Sequence, residues 1–396
     1  MEAKETAVFI PRYFEDLDTL HVGCEPNRAY FVPASAPTDT RFAAREQSDR
    51  FRLLNGEWDF KYYASVYDLD AEVDASAQAH EPVFTEPMFD ADSYDQIAVP
   101  SVWQTHGYDH NQYTNTRYPF PLDPPFVPHD NPCAVYRTTF GYDVDPACPR
   151  AFLNFEGVDS CFYVWLNGDF VGYSQVSHST SEFEVTDALD DGENTLVVLV
   201  LKWCDGSYLE DQDKFRMSGI FRDVYLMATP QTYLRDHYIT SRLSAVGKYQ
   251  TGSMTVQLAM CNKTQQATEK QVRVRLYSPA GELVGEKTAD FAFAADDKEV
   301  EKTAKLTFDN LTNLMPWTAE TPNLYTVELA QLDANGNEEE AFATKYGFRT
   351  IEIKNSQVYI NGQRVFFKGV NTQDTHPVYG RSIDVPTMLK DIEMMK

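Results

Sequence analysis

The sequence predicts a mostly β protein: two β-sandwiches, followed by a segment in which a strand leads through a loop into a helix. Short apolar runs rich in β-branched and aromatic residues recur through most of the 396 residues, with polar turns between them. Phe, Tyr and Trp make up 13% of the chain, a content that suits β-sheets. Apolar residues take a helical spacing only near the end of the chain.

An N-terminal arm precedes the first sandwich. Residues 1–45 contain several prolines, among them Pro37, and show little periodicity, so we predict an extended arm over a folded body. The first sandwich is predicted for residues 46–232, and Asn167-Gly168 marks a tight hairpin within it. Its predicted strands are 58–62, 135–140, 151–155, 162–166, 169–173 and 195–201, with no helical period between them.

The second sandwich is predicted for residues 233–348, a size that fits an immunoglobulin-like domain. Alternating apolar residues predict strands at 255–260, 272–276 and 327–329. This domain contains no candidate chemistry, so we expect it to act as a spacer that orients its neighbours.

Residues 349–396 are predicted to begin a β/α unit. Asn361-Gly362 indicates a hairpin whose second arm leads into Gly369-Val-Asn371. Asp384 is the expected N-cap of a helix. The apolar residues of this helix are spaced for one buried face: Met388, Leu389, Ile392 and Met395.

The charge of the chain excludes some partners. With 34 Lys and Arg against 60 Asp and Glu, the formal net charge is −26, which repels nucleic acid and anionic membranes. The six cysteines are scattered without metal-ligand spacing and are expected to stay reduced. The N-terminus lacks the charge and apolar pattern of a signal peptide, and no apolar run approaches membrane-spanning length. We therefore expect a soluble, cytoplasmic protein.

The stretch from Asp205 to Asp223 is the least ordinary part of the sequence. It follows a predicted buried strand and crowds four acids into nine positions before two arginines: Asp205, Glu210, Asp211, Asp213, Arg216 and Arg222. The acids are either solvated or paired with the arginines, or their carboxylates converge on a hard cation or on polyol hydroxyls. The residues alone favour the first alternative and leave the second open.

A second unusual stretch lies between Pro100 and Pro132. Its many prolines remove backbone donors and fix φ, so we predict a stiff, sheet-free loop that projects a defined surface. Asn115 lies in this loop beside aromatic residues and offers two donors and an acceptor, a combination that can bind sugar hydroxyls. The residues alone equally allow an asparagine that caps its own turn, and this is the more common role.

Several motifs resemble those of glycoside hydrolase family 2, and specifically of its β-galactosidases. The longest runs from Asp205-Gly-Ser-Tyr-Leu-Glu-Asp-Gln-Asp213 through Ser218-Gly-Ile220 to Phe221-Arg-Asp-Val224. Further matches are Leu54-Asn-Gly-Glu-Trp-Asp-Phe60, Val99-Pro-Ser-Val-Trp-Gln-Thr-His-Gly-Tyr108, Tyr113-Thr-Asn-Thr-Arg-Tyr-Pro119, Asp123-Pro-Pro-Phe-Val-Pro128, Gly172-Tyr-Ser174 and Phe367-Lys-Gly-Val-Asn371. The resemblance implies a jelly-roll sugar-binding domain, an immunoglobulin-like domain and, over residues 349–396, the incomplete start of an eight-fold β/α barrel.

The resemblance also implies three site residues. Asn115 would reach into a galactose site, and Asp213 would touch both a sodium ion and galactose. Gln373 lies where the family pattern has a histidine. A glutamine can hydrogen-bond a sugar, but it cannot carry charge at low pH.

The catalytic groups implied by the resemblance lie elsewhere. A retaining glycosidase uses two carboxyls about 5 Å apart, one as acid/base and one as nucleophile. In the family both are glutamates on later barrel strands, which would lie beyond Lys396, as would the magnesium ligands. The expected cofactors are Mg²⁺ and Na⁺, the expected ligand is a β-galactoside, and the full-length protein would be a homo-oligomer.

Two functions are therefore open. The chain is either the N-terminal part of a β-galactosidase or a non-catalytic carbohydrate-binding or assembly module. The first predicts that the coding sequence continues into glutamate-bearing barrel strands, and the second predicts a true stop after Lys396.

Overall fold

The computed structural model describes residues 10–35, 45–76, 82–210, 213–295 and 300–396. Part of the predicted arm, with Pro37, and the acidic residue Asp211 lie outside the described residues. The chain divides into two compact units. Unit 1 comprises the described residues up to Asn27 with Leu53–Met227 and Thr372–Lys396, and unit 2 comprises Arg28–Arg52 and Ala228–Asn371. The predicted arm and the predicted barrel start are thus each divided between the two units.

The N-terminal part of the chain is built from short strands, as the sequence predicts. The described strands up to residue 229 are β1 (His21–Val22), β2 (Ala34–Ser35), β3 (Phe51–Leu53), β4 (Gly56–Tyr63), β5 (Asp95–Val99), β6 (Gln112–Thr114), β7 (Cys133–Tyr142), β8 (Arg150–Phe155), β9 (Val158–Asp159), β10 (Cys161–Leu166), β11 (Asp169–Ser174), β12 (Ser181–Glu184), β13 (Gly192–Leu201), β14 (Lys214–Arg216), β15 (Gly219–Ile220) and β16 (Val224–Thr229). The six predicted strands of this region are confirmed. Asn167 and Gly168, both at positive φ, form the predicted hairpin turn between β10 and β11.

Two sheets enclose the core of unit 1. One has seven strands in the order β1-β11-β10-β13-β7-β4-β5, and the other has the order β12-β8-β16-β3. The central strand β13 shows why its sequence is continuously apolar. Leu196, Val198 and Val200 belong to the cluster between the sheets, whereas the alternate residues Val197, Leu199 and Leu201 belong to a second buried cluster. Both faces of β13 are therefore covered, and alternation with polar residues is lost.

The second cluster is covered in part by a helix that the sequence analysis missed. Helix α1 spans Val66–Ser76, and Val66, Leu69 and Val73 are buried in this cluster. Their spacing of three and four residues is helical. The prediction that this domain has no helical period was therefore wrong, because three acidic residues between the apolar ones hid a short amphipathic stretch.

Unit 2 is a second sandwich. Its further strands are β17 (Thr232–Leu243), β18 (Gly252–Asn262), β19 (Thr268–Tyr277), β20 (Leu283–Phe293), β21 (Glu301–Leu311), β22 (Tyr325–Leu332) and β23 (Glu338–Tyr346). They form a three-stranded sheet, β17-β18-β21, and a five-stranded sheet, β2-β23-β22-β19-β20. Met254, Val256 and Leu258 of β18 and Val272 and Val274 of β19 point into one shared core, as the alternation predicts.

The last segment forms a three-stranded meander and a helix. The strands are β24 (Ile351–Lys354), β25 (Gln357–Ile360) and β26 (Gln363–Arg364), and helix α2 spans Val385–Met395. The carboxylate of Asp384 accepts a hydrogen bond from the Thr387 amide at 2.9 Å, so the predicted N-cap is confirmed. The predicted buried helix face is wrong for the described chain, since none of the residues of α2 is buried. Leu389 and Ile392 are 56% and 60% exposed.

Together these elements confirm the predicted fold class of a mostly β chain. Among the described residues, no helix combines the length and the apolar character that crossing a bilayer would require.

A buried acid lies inside unit 2. Glu340, on β23 opposite Ser35 of β2, is 4% exposed, and its Oε2 atom has no hydrogen-bond partner among the described residues. Burial raises the pKa of Glu340 to about 7, against an opposing effect of the nearby Arg50 charge. A carboxyl whose pKa is raised by folding destabilises the folded state once it ionises.

We expect Glu340→Gln to remove a pH dependence of folding. Between the ordinary pKa near 4.5 and the raised value of about 7, the folded wild type retains a proton that the unfolded chain releases, so its stability falls as pH rises. This loss of unfolding free energy is complete above pH 7. At ~1.4 kcal/mol per pH unit, it amounts to up to ~3 kcal/mol. Urea unfolding of both proteins from pH 5 to pH 8 measures it. The exposed Glu320→Gln variant is the control, and parallel pH curves for wild type and Glu340→Gln would contradict the assignment.

Candidate functional site

The loop between Pro100 and Pro132 contains a strand, so the prediction of a sheet-free loop was wrong. Strand β6 pairs with β14 in an antiparallel ladder, with Tyr113 opposite Phe215 and Thr114 opposite Lys214. Continuing that register by one residue sets Asn115 opposite Asp213. The ladder thus connects the two stretches that the sequence analysis singled out.

The same loop is attached to the chain around Asp205 by two side chains. The Tyr208 hydroxyl donates to the Phe126 carbonyl and accepts from the Asp123 amide. Asn131 donates to the Trp203 carbonyl and accepts from the Trp203 amide, both at 2.9 Å. These bonds satisfy the backbone groups of Asp123, Phe126 and Trp203, none of which lies in a strand.

Asp213 lies at the centre of a group of four residues, Tyr113, Asn115, Asp213 and Gln373, here called the Asp213 cluster. The Tyr113 hydroxyl donates to the Asp213 carboxylate, and the Gln373 side-chain amide donates to the Asp213 backbone carbonyl. The hydrogen bond to Asp213 raises the pKa of the Tyr113 phenol, and a hydrogen bond from Asn115 lowers it. The predicted site residues Asn115 and Gln373 therefore lie around Asp213, together with Tyr113, which the prediction did not include.

The Asp213 cluster lies at the surface. Asn115, Asp213 and Gln373 are exposed, and no hydrogen bond among the described residues joins the Asn115 side chain to its own turn. Tyr113 and Phe215 lie side by side, with ring centroids 5.8 Å apart, and are 53% and 44% exposed. Exposed rings next to amide and carboxylate groups provide both parts of a sugar-binding surface, the apolar face and the polar partners.

The other described acids of the stretch have structural partners. Asp205 accepts from Gln175 at 2.7 Å, and burial raises its pKa. The Glu210 carboxylate accepts from Ser177 at 3.3 Å, and the Glu210 carbonyl accepts from Arg216 at 2.7 Å. Asp213, in contrast, forms no ion pair with a described residue. The first half of the stretch thus braces the fold, whereas Asp213 faces outward, and for Asp213 the binding of a cation or of polyol hydroxyls stays a prediction.

Gly219, in the Ser218-Gly-Ile220 motif, is required by close packing. It has φ +133, and an added Cβ would lie 2.8 Å from the Ser101 carbonyl oxygen and 2.9 Å from the Tyr136 hydroxyl. A residue with a side chain would therefore be strained in its backbone and crowded by its neighbours.

We expect Gly219→Ala to destabilise the chain more than Gly192→Ala. Gly192 has a similar φ of +119, but a Cβ added to it would meet no atom within 4 Å. Both substitutions incur backbone strain of ~1–3 kcal/mol, and only Gly219→Ala adds overpacking of ~1–3 kcal/mol. Denaturant midpoints of the two variants measure the difference, and equal midpoints would show that the close approach at Gly219 is unimportant.

The two expected metal ions differ in how well the described side chains suit them. Among the described residues, no group of three or more His, Cys, Asp or Glu side chains could hold a metal ion. The exposed Asp213 carboxylate fits one ligand of a sodium ion, because its Oδ2 atom accepts no hydrogen bond from the described residues. That Asp213 binds a metal and that the cluster binds a sugar both stay predictions.

The sequence analysis did not predict Tyr113, His376 or Arg381 as site residues. Tyr113 was within a quoted motif, and its position in alternation with Asn115 was the available signal. His376 and Arg381 lie in the loop between Asn371 and helix α2. The His376 Nδ1 atom accepts from the Val378 and Tyr379 amides at 3.1 and 3.2 Å and so closes a turn, and Arg381 is buried.

Three family models match the chain in succession. Residues 51–230 match the sugar binding domain of glycosyl hydrolases family 2, residues 232–349 match the model described as glycosyl hydrolases family 2, and residues 351–396 match the TIM barrel domain of the same family.

Several relatives similar in sequence are β-galactosidases. The chain is 43% identical to a β-galactosidase of Actinobacillus pleuropneumoniae over 98% of its own length and 34% of the relative's, and 37% identical to a β-galactosidase of Staphylococcus xylosus over 97% and 34%. The chain thus spans about a third of the length of these relatives.

Solved structures share the fold. A β-glucuronidase of Bacteroides uniformis superposes with a TM-score of 0.69 at 17% identity, covering 87% of this chain and 38% of the other. A β-glucuronidase of Bifidobacterium dentium gives a TM-score of 0.65 at 19% identity, covering 88% and 56%. With successive family models matched from residue 51 to the last residue, the chain belongs to glycoside hydrolase family 2.

Proposed function

We propose that this chain is the N-terminal part of a retaining β-galactosidase that hydrolyses terminal β-D-galactosyl residues, as in lactose-like substrates. In that enzyme the chain supplies substrate- and sodium-binding residues to an active site completed by the rest of a β/α barrel. The identity of 43% to a β-galactosidase supports the substrate class. The observation that carries the proposal is the meeting of Tyr113, Asn115 and Gln373 around Asp213.

The groups of the Asp213 cluster suit the recognition of a sugar rather than its cleavage. Asn115 and Gln373 offer amide donors and acceptors, and Asp213 offers a carboxylate, so together they can bind several hydroxyl groups. Tyr113 fixes the carboxylate by hydrogen bonding to one of its oxygens, which leaves Oδ2 for a ligand. A sodium ion bound there would supply a fixed positive charge for a sugar hydroxyl.

Cleavage needs a pair of carboxyls on either side of the glycosidic bond. The described acids of the Asp205–Asp223 stretch are engaged in bracing the fold, except for Asp213. We therefore assign the acid/base and the nucleophile to barrel strands that follow residue 396, in keeping with the family pattern.

We expect the 396-residue chain by itself not to hydrolyse β-galactosides above background. Positioning groups without the carboxyl pair give no covalent intermediate. A longer form that carries the complete barrel should hydrolyse a chromogenic galactoside with retention of the anomeric configuration. Turnover by the rigorously purified 396-residue chain would contradict the assignment of the carboxyls, and inversion by the longer form would contradict the mechanism.

A non-catalytic carbohydrate-binding module is the second candidate, and the exposure of Tyr113 and Phe215 favours it. Such a module would bind galactosides through stacking on these rings without any barrel. Calorimetric titration of the 396-residue chain with galactose distinguishes the two functions. Tight binding by the chain alone favours the module, whereas weak binding that strengthens in the longer form favours the enzyme.

We expect Asp213→Asn to abolish the sodium response of the longer form and to reduce its activity roughly 10²-fold. The substitution keeps the shape of the side chain and removes the charge that attracts the cation. The thermal midpoint should change little, because Asp213 is exposed and forms no ion pair with a described residue. Turnover with and without sodium, and thermal unfolding of the same variant, provide the measurement.

Asp205→Asn is the matched control for this experiment. Asp205 is an acid of the same stretch, but it is half-buried and accepts from Gln175 at 2.7 Å. Its variant should lose stability and retain the sodium response. If Asp213→Asn instead gave a destabilised protein with an intact sodium response, Asp213 would be a structural residue.

A further inference from the structure

We propose that Arg381 is a positioning residue for the Asp213 cluster: its buried ion pair with Asp159 fixes the loop that holds Gln373 against Asp213. The inference rests on the proposed function for its meaning, because it assigns a role within that site. It concerns unit 1 alone, to which all of these residues belong.

Arg381 is buried among partners from several parts of unit 1. Its guanidinium forms an ion pair with Asp159, and the two residues are each 5% exposed. It also contacts the Nε2 atom of His178, and it lies 4.9 Å above the ring of Phe221. A guanidinium can bind several such partners at once, because its donors form a rigid planar fork.

The residues beside Arg381 hold the same loop on the surface of the sandwich. Gly380 donates to the His376 carbonyl, and its α-carbon lies against Met217 and Val102, where an added Cβ would come within 2.6 Å of the Met217 sulfur. The Ser382 hydroxyl donates to the Pro100 carbonyl at 3.2 Å. The loop is therefore attached at 380–382, while Gln373 lies at its other end.

The loop of Gln373 and strand β14 meet at Asp213, and both are connected to Arg381. Gln373 belongs to the loop that Arg381 attaches and donates to the Asp213 carbonyl. On the other side, His178 contacts Arg381, and its Nε2 atom lies 3.2 Å from the Nζ atom of Lys214. Lys214 is the first residue of β14 and directly follows Asp213. The exposed cluster contains little packing of its own, so its geometry depends on these attachments, of which the Arg381–Asp159 pair is the buried one.

A buried ion pair is a weak source of stability, since desolvation offsets most of the attraction between the charges. Breaking it by removing one partner is costly, because the remaining charge stays buried. The Arg381–Asp159 pair is thus better explained by the position that it imposes on the loop than by a gain in folding free energy.

Hydrogen exchange of the 396-residue chain tests the proposal without turnover. We compare wild type with Arg381→Met, with Arg381→Lys, and with the double variant Asp159→Asn/Arg381→Met, which leaves no buried charge unpaired. Arg137→Met is the matched control, because Arg137 is 4% exposed in the same unit and donates to the carbonyls of Phe84, Glu86 and Pro87. Amides of residues 372–380 and 214–216 are followed, and those of β13 report global unfolding.

We expect exchange at 372–380 and 214–216 to rise at least about tenfold in Arg381→Met and in the double variant, without a matching rise in β13. Arg381→Lys keeps the charge opposite Asp159 and should restore part of the protection. Adding Gln373→Ala to Arg381→Met should change nothing further at 214–216, because the released loop has already lost that contact.

Three results would overturn the proposal: unchanged exchange in both Arg381→Met and the double variant, an equal local rise in Arg137→Met, or additive effects of Gln373→Ala and Arg381→Met. If Arg381→Met does not fold, the double variant and Arg381→Lys decide by the same criteria. The exchange result does not depend on catalysis. A longer form that fails to hydrolyse β-galactosides would refute the proposed function while leaving this outcome unchanged.

Discussion

The candidate site depends on the short antiparallel pairing of β6 with β14. Without it, nothing would set Asn115 opposite Asp213, although Tyr208 would still join the acidic stretch to the proline-containing loop. Three pairs of residues suffice, because both segments are already fixed by other contacts. Tyr208 and Asn131 hold the loop, and Arg216, bonded to the Glu210 carbonyl and buried, holds the stretch. The ladder then sets the register, and the register sets Asn115 opposite Asp213.

The residues of the long motif around Asp213 have different structural roles. Asp205 binds Gln175, Ser207 caps the amide of Cys204 at 3.1 Å, and Gly219 allows the backbone to approach Ser101 and Tyr136. Only the exposed part of the motif is available to a ligand. A cluster of acids in a sequence is therefore a poor guide to a binding site until burial separates the bracing carboxylates from the outward-facing one.

The sequence was sufficient to predict the sandwiches, the hairpins at Asn167-Gly168 and Asn361-Gly362, and the cap at Asp384, because these depend on local chemistry. It was insufficient for β6, since a three-residue strand inside a proline-rich loop has no periodicity of its own and pairs only through tertiary contact. Helix α1 was missed because its apolar spacing was diluted by acids. The ion pair of Arg381 with Asp159 joins residues more than two hundred positions apart, and no pattern in a single sequence reports such a contact.

Gln373 lies where the family pattern has a histidine, and its hydrogen bond to Asp213 could not be inferred from that difference. Its side-chain amide donates to the backbone carbonyl of Asp213 rather than to the carboxylate, so the carboxylate is left to Tyr113 and to a ligand. A glutamine amide is a donor at every pH, whereas a histidine changes charge near neutrality. The contact between the loop and β14 is thus independent of pH, and the charge of the cluster comes from Asp213 alone. A cation bound as proposed would therefore depend on the charge of Asp213, which Tyr113 and Gln373 hold in place through their hydrogen bonds.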